Sequence, residues 1–329
     1  MIVFVSSRIP PDHTGSGKRI LSYVDYLIHE KGENVHVITW SLAAKNERIH
    51  VPKKSRGRLS LFSNCFHVLK SAKKCINERK KGEPVIFWLI SSTYLTFLSA
   101  LVAKFYGAKI ILQSTLDGDD DPLSKTKGSA VYLMKIALYR LSDHVTCVSK
   151  PLFNKTNVLY KSVSYIPNPI DLQKFNPGNE KSLGEKKTIL FVGALNRRKG
   201  IDIVLNTTQK LLAHRDDIKL ILVGPYDEAI FEEYGDILAH QDVHIEGYRE
   251  DTTVYYKQAD LFFFPSRREG MPTVLLEAMA SRLPIVCKKL ENVTDELFPA
   301  EYEGVIASED IDEYYNIILR VLNNKKKIR

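Results

Sequence analysis

The chain has 329 residues, 44% of them apolar and 26% charged, which excludes an intrinsically disordered protein and exceeds what one core normally holds. Its formal net charge of +8 is concentrated before residue 90. Its four cysteines, Cys65, Cys75, Cys147 and Cys287, form no CxxC pair, the nine histidines show no HExxH spacing, and no DxD-like pair stands in a metal-binding context, so neither a disulfide framework nor a metal is expected.

Ile2 to Ser6 (IVFVS) reads as a buried strand. Arg8, Pro10 and Pro11 follow too soon for the apolar core of a signal peptide, so the chain is expected to stay in the cytoplasm. The loop His13 to Lys18 (HTGSGK) leads into a helix from Lys18 to His29, in which Ile20, Val24, Leu27 and Ile28 recur at helical spacing. Strand Val35 to Thr39 then completes a βαβ unit. Gly15 and Gly17 would let backbone approach a ligand closely, although short glycine loops are common and the spacing is not GxGxxG.

A basic stretch follows: Lys53, Lys54, Arg56, Arg58, Lys70, Lys73, Lys74, Arg79, Lys80 and Lys81, with Leu59, Leu61, Phe62, Phe66, Val68 and Leu69 between them. It reads either as a solvated helix face with ordinary core packing or as a face that lies on an anionic bilayer. Nucleic acid is not indicated, because no recognisable module is present. Val85 to Ala103 carries no charge, yet Ser91, Ser92, Thr93, Thr96 and Ser99 dilute it. A strand (VIFWLI), a turn and a helix from Tyr94 to Tyr106, ending at Gly107, explain it better than a membrane span.

Strand AKIILQ, a helix from Ser129 to Leu141 and strand HVTCVS continue the alternation. Tyr165 to Lys186, rich in proline, glycine and charge, reads as an interdomain connection, dividing the chain into 1–170 and 171–329. Strands TILFV, IKLILVG, VHIEG, DLFFF and PIVC then alternate with helices near Ile201 to Ala213, Asp227 to Ala239, Asp251 to Gln258 and Pro272 to Ser281. An α/β protein with two doubly wound parallel sheets is predicted, its ligands beyond the carboxyl ends of the strands.

The most specific stretch is Pro265 to Val286, PSRREGMPTVLLEAMASRLPIV. A helix beginning near Pro272 would point the N–H groups of Thr273, Val274 and Leu275 at the preceding loop, a ready anion site. Glu269 in that loop and Glu277 within the helix would add two acids, which suit sugar hydroxyls better than further anions.

This stretch resembles the signature of the family 4 retaining glycosyltransferases, PSxxEGxPxxxLEAMAxGxP, with Arg282 where the family has glycine. The resemblance implies a GT-B fold, an N-terminal acceptor-binding and a C-terminal nucleotide-sugar-binding Rossmann-like domain facing across a cleft. It implies that Glu269 holds the donor sugar hydroxyls, that Glu277 holds the ribose, and that backbone from Gly270 and Met271 through Leu275 meets the sugar and diphosphate. Tyr165 onward is similar to the family's IPNGVDxxxFxP, with Pro169 in the glycine position. Gly193 to Gly200 (GALNRRKG) resembles GRLxxxKG: Lys199 matches the lysine that neutralises the donor phosphates, and Ala194 replaces the arginine, leaving Arg197 or Arg198 to assist. A fixed cation there would stabilise charge growing on the leaving group, and without an anion it would oppose the helix dipole.

HTGSGK resembles the family's GGxxR-like loop, giving Gly15 and Gly17 backbone contacts to the diphosphate. In STLDGDDDP, Asp117 falls nearest the histidine that relatives place by the transferred sugar, although such an acidic run could also simply solvate a loop. Tyr248 and Arg249 fall where relatives meet the base. The implied activity is transfer of a sugar from a nucleoside diphosphate to an acceptor hydroxyl on a lipid-linked or cell-surface glycan, with no metal or cofactor beyond the donor. The protein would then attach peripherally to the inner face of the membrane. An inactive binding subunit, or a nucleotide-sugar epimerase or hydrolase of the same fold, are the alternatives.

Overall fold

Each apolar run singled out above pairs into one of two parallel sheets in the computed structural model, which describes residues 1–7, 9, 15–41, 48–52, 60–116, 129–176, 186–226, 228–291 and 293–323. The chain divides into two units, Met1–Pro167 and Asn168–Arg329, the division falling three residues before the expected one.

The N-terminal unit holds strands β1 (Ile2–Ser6), β2 (Val35–Thr39), β3 (Ile49–His50), β4 (Ile86–Ile90), β5 (Lys109–Ser114), β6 (His144–Cys147) and β7 (Val163–Tyr165). Their order is β3-β2-β1-β4-β5-β6-β7. Helices α1 (Gly15–His29), α2 (Ser60–Asn77), α3 (Tyr94–Phe105), α4 (Ala130–Leu141) and α5 (Lys150–Asn157) connect them. Alternation of strand and helix forces parallel pairing, because each crossover returns the chain to the same edge. In α3 the Thr93 hydroxyl accepts the Thr96 N–H and the Thr96 hydroxyl accepts the Thr93 N–H, a reciprocal cap that fixes the helix start. Leu95, Leu98 and Val102 are buried on its inner face, so the uncharged stretch belongs to the core. No helix among the described residues is long and apolar enough to cross a membrane.

One expectation is corrected here. Helix α1 begins at Gly15, so Gly15 and Gly17 lie in its first turn and not in a loop before it. Glycine is costly in a helix interior, but the first turn lacks intrahelical partners for its N–H groups and tolerates it.

The C-terminal unit holds β8 (Lys187–Val192), β9 (Ile218–Val223), β10 (Val243–Gly247), β11 (Leu261–Phe264), β12 (Ile285–Lys288) and β13 (Val305–Ile306), in the order β10-β9-β8-β11-β12-β13. Helices α6 (Ile201–Leu212), α7 (Glu228–Leu238), α8 (Thr253–Gln258), α9 (Thr273–Ala280), α10 (Thr294–Leu297) and α11 (Ile311–Asn323) alternate with them. The core centres on β11, whose Phe262, Phe263 and Phe264 are buried against Tyr256, Tyr314 and Phe191. Full burial of each such ring contributes about 1.5–3 kcal/mol. The order reverses between β8 and β11, where Ile189 pairs with Leu261 and Leu190 with Phe262. The loops that follow these two strands therefore leave the sheet side by side, the usual ligand position in such a fold.

Arg282 is resolved by the end of α9. It adopts φ +54°, its N–H donates to Met279 O at 2.9 Å, and the Leu283 N–H donates to Ala278 O at 3.0 Å. This left-handed helix ending usually carries glycine. Arginine accepts it at a cost of about 1–2 kcal/mol, with Leu283 anchored in the core.

Candidate functional site

After β8 the chain runs through Gly193 to Asn196 into one 3₁₀ turn, Arg197–Lys199. Asn196 caps the turn, its Oδ1 accepting the Lys199 N–H at 3.1 Å, and Gly200 closes it at φ +77°. Glycine is required here twice: a side chain is strained at that φ, and a Cβ would sit 2.1 Å from the Pro265 carbonyl oxygen. Pro265 opens the loop after β11, so this close approach brings the two loops together. The Arg267 N–H donates to Arg198 O at 2.9 Å, and Arg198 Nη1 donates to Arg268 O at 3.0 Å.

The laced loops bring Lys199 and Glu269 into contact. Lys199 Nζ donates to Glu269 Oε1 at 2.5 Å, and Ser266 Oγ donates to the same oxygen at 2.7 Å. Arg198 Nη1 stands 3.6 Å away, and the side chains of Lys199 and Glu269 are 17% and 11% exposed. Lys199 Nζ also lies 5.3 Å from the Phe264 ring centroid. Two cations face one carboxylate, which leaves the junction with a net positive charge. No hydrogen bond from a described residue reaches Glu269 Oε2. The group can thus accept from a hydroxyl through one oxygen while the cations beside it meet an anion.

Of the two candidate arginines, only Arg198 belongs to this junction. Arg197 pairs with Glu233 on α7, and its Nη1 stands 3.8 Å from Asp202. Arg267, which the sequence reading passed over, clamps Asp202 through two bonds of 2.8 Å and also reaches Glu309, with Lys288 completing the chain of charges. The Arg267 bonds, with those of Lys288, hold the Glu309 carboxyl down at about 2. Burial opposes ionisation of Asp202, but Arg267 outweighs it and keeps that carboxyl below its usual range. The clamp fixes the root of the loop two residues before Glu269.

At α9, Pro272 is the residue before the first helical turn, extended at ψ 105°, and not its first member. The Leu275 N–H donates to Pro272 O at 3.1 Å, so the amide groups of Thr273 and Val274 precede the first closed turn while that of Leu275 is already engaged within it. Gly270 and Met271 are buried, and the Met271 carbonyl accepts from Asn168 Nδ2 at 2.8 Å. Asn168 Oδ1 is buried without a hydrogen-bond partner. Glu277, half-buried on α9, lies beside the Tyr256 hydroxyl, which donates to Val274 O at 3.4 Å; burial first, then the Glu277 charge, pushes that wholly buried phenol well up. Ser266, Asn168 and Tyr256 were missed as orienting groups, although the first two lie inside the motifs.

Arg249 is tied to Glu246 at 3.0 Å, Glu246 accepts the Tyr255 hydroxyl at 2.7 Å, and Tyr248 is exposed after the bulge at the end of β10. Gly15 and Gly17 lie in the N-terminal unit, and Asp117 lies outside the described residues, as do Lys53, Lys54, Arg56 and Arg58.

Residues 186–324 match the family model described as "Glycosyl transferases group 1". The chain is 29% identical over 178 residues to the UDP-Gal:alpha-D-GlcNAc-diphosphoundecaprenol alpha-1,3-galactosyltransferase of Escherichia coli, a match covering 50% of this chain and only 46% of that relative. It is 24% identical over 322 residues to the capsular polysaccharide biosynthesis glycosyltransferase CapM of Staphylococcus aureus, covering 91% and 83% of the two chains. Among solved structures, Anabaena Alr3699/HepE in complex with UDP and glucose superposes with a TM-score of 0.76 at 16% identity, covering 98% of this chain and 90% of that one. That likeness shows the fold, two parallel α/β sheets of the GT-B class. The Lys199–Glu269 junction lies inside the matched segment, so the likeness of residues 186–324 to the group 1 glycosyl transferases includes the site itself.

Proposed function

We propose that the protein is a retaining glycosyltransferase that moves a sugar from a nucleoside diphosphate to an acceptor hydroxyl during synthesis of a lipid-linked, capsular or other cell-surface glycan. The observation that carries this reading is the junction of Lys199, Arg198 and Glu269 at the order reversal of the second sheet. An anionic diphosphate and a polyhydroxylated ring, joined in one molecule, match cations and a carboxylate placed side by side. The galactosyltransferase and capsular relatives support the acceptor class.

In this mechanism the bond from the sugar anomeric carbon to the diphosphate oxygen breaks, and its electron pair leaves on that oxygen. Lys199 and Arg198 stabilise the charge as it grows, an interaction stronger in the transition state than in the bound substrate. The acceptor oxygen forms the new bond on the same face, and its proton passes to the departing phosphate. Glu269 orients the ring through its hydroxyls, Glu277 holds the ribose under the control of Tyr256, and the amides of Thr273 and Val274 face the diphosphate. These cations take the part that a divalent ion plays elsewhere. The N-terminal unit takes the acceptor. Basic α2, with Phe62 and Phe66 exposed, attaches the protein to the anionic inner face of the membrane.

The test is nucleoside diphosphate release from a panel of UDP-, GDP- and ADP-sugars, with and without lipid or glycan extract. Release that requires one donor and the extract supports the transferase. Release without any acceptor identifies a hydrolase or epimerase. Donor binding without turnover identifies a binding subunit, the reading that Ala194 favours by removing the family's arginine.

A further inference from the structure

Three residues far apart in the sequence converge inside the N-terminal unit. His36 on β2, His50 on β3 and Cys75 on α2 are 1%, 5% and 0% exposed. One ligand atom from each lies within 4.8 Å of those of the other two, the one cluster of three such groups among the described residues. The arrangement follows from the fold. In the parallel pairing of β2 with β3, Ile38 faces His50, which sets His36 and His50 diagonally on one face of the sheet. Helix α2 covers that face and buries Val68, Ala72, Cys75 and Ile76 at helical spacing.

We propose that His36, His50 and Cys75 bind one Zn²⁺ ion, which fastens the short edge strand β3 to α2. His36 Nδ1 and His50 Nε2 stand 3.2 Å apart. Two nitrogens on a tetrahedral zinc, with bonds of about 2.0–2.1 Å, are separated by about 3.3 Å. The thiolate is the third ligand, and a water completes the set. The second nitrogen of His36 supports the assignment. Its Nε2 is buried, makes no hydrogen bond and lies 3.6 Å from Glu78 Oε2. A ligating histidine characteristically turns its other N–H to a carboxylate, which fixes the tautomer and leaves Nδ1 free to coordinate. Burial keeps the metal-free site uncharged: it lowers both imidazoles, that of His50 to about 4, and raises the Cys75 thiol to about 12. Neutral imidazoles are already in the ligating form, and only Cys75 must lose a proton, which passes to solvent as the Zn–S bond forms. Glu78 and Glu83 offset the positive charge that remains, against Arg48 and Lys74.

The site is distinct in composition from the donor-site junction, and its test does not depend on turnover. The full chain, stripped with chelator, is titrated with Zn²⁺ and, separately, with Co²⁺ as a spectroscopic probe. The expected results are one equivalent of metal, release of one proton, and a thiolate-to-Co²⁺ charge-transfer band. Zn²⁺ at a hundredfold excess over its dissociation constant should raise the unfolding midpoint by about 5 °C. Cys75→Ser and His50→Gln should abolish the band and the shift, while Cys65→Ser keeps both. Absence of the band in the wild-type chain, or its survival in Cys75→Ser, overturns the proposal. If both ligand variants fail to fold, the wild-type Co²⁺ spectrum and stoichiometry decide alone.

Discussion

On the proposed reading of the junction, Glu269→Gln separates the two halves of the donor. The substitution keeps the shape of the side chain and removes its charge. In the wild-type chain Oε1 accepts from Lys199 at 2.5 Å and from Ser266 at 2.7 Å, and no described residue donates to Oε2. A hydrogen bond to a charged group contributes about 1.5–3 kcal/mol, so losing one to a sugar hydroxyl in the transition state lowers kcat/KM by about 10- to 150-fold. Lys199, relieved of its carboxylate, remains available to the diphosphate. Affinity for the nucleoside diphosphate alone should therefore stay constant or tighten. Product release under subsaturating donor gives the first quantity and calorimetric titration the second, with Lys199→Ala as the converse: weaker diphosphate binding by about tenfold. Equal losses in catalysis and in diphosphate affinity for Glu269→Gln would refute the division of labour between the two residues.

Four further outcomes are expected. Arg282→Gly should stabilise the C-terminal unit by about 1 kcal/mol, because relief of the left-handed strain outweighs the added freedom of the unfolded chain; an unchanged or lowered urea midpoint would contradict this. Tyr256→Phe should preserve the core and weaken ribonucleoside diphosphate binding about fivefold by freeing Glu277, whereas the analogue lacking ribose hydroxyls should bind both proteins equally. Glu309 has its folded value held at about 2, below its ordinary 4.5, so its contribution is complete above 4.5 and is lost as pH falls toward 2. Glu309→Gln should accordingly lower stability at neutral pH and flatten the acid limb of the curve in that window, so that the two proteins converge as pH falls toward 2. Gly200→Ala, which places a Cβ 2.1 Å from the Pro265 carbonyl oxygen, should destabilise by about 2–4 kcal/mol and weaken donor binding with it, as thermal melts and titration would show.

Periodicity carried much of the fold. The strands at Ile2, Val35 and Leu261, and the uncharged stretch that became β4 and α3, were legible because period and punctuation agree there. The start of α1 was not, since intrinsic preference places a helix after its glycines, whereas first-turn geometry tolerates them. Arg282 stood out as a departure from the pattern, yet only the 3.0 Å bond from Leu283 shows that arginine adopts the left-handed ending. In the site, Lys199 and Glu269 were readable from their motifs. Which arginine joins them was not: Arg197 and Arg198 are neighbours in sequence, and the choice depends on Glu233, which sits on another helix. Tyr256 and the Arg267 clamp were hidden for the same reason, because their partners are set by strand order and not by spacing, whereas Ser266 meets Glu269 from three residues away within the motif. His36, His50 and Cys75 escaped any search for short metal motifs, since a sheet register and a helix face bring them together.

The adjacency of β8 and β11 has a consequence for how the chain matures. Lys199 and Glu269 are separated by 70 positions, and β9, β10 and three helices intervene before β11 can pair with β8. During synthesis the cationic loop emerges first and waits for its carboxylate until that long-range pairing closes, the slow kind of step in a parallel sheet. A nascent chain that ends before β11 can hold folded strands and still present two cations with no counterpart. On the proposed function, competence to grip a donor is therefore acquired in one event, when the second half of the sheet docks, and a ribosome-stalled chain would be blind to the donor on one side of that point and responsive on the other.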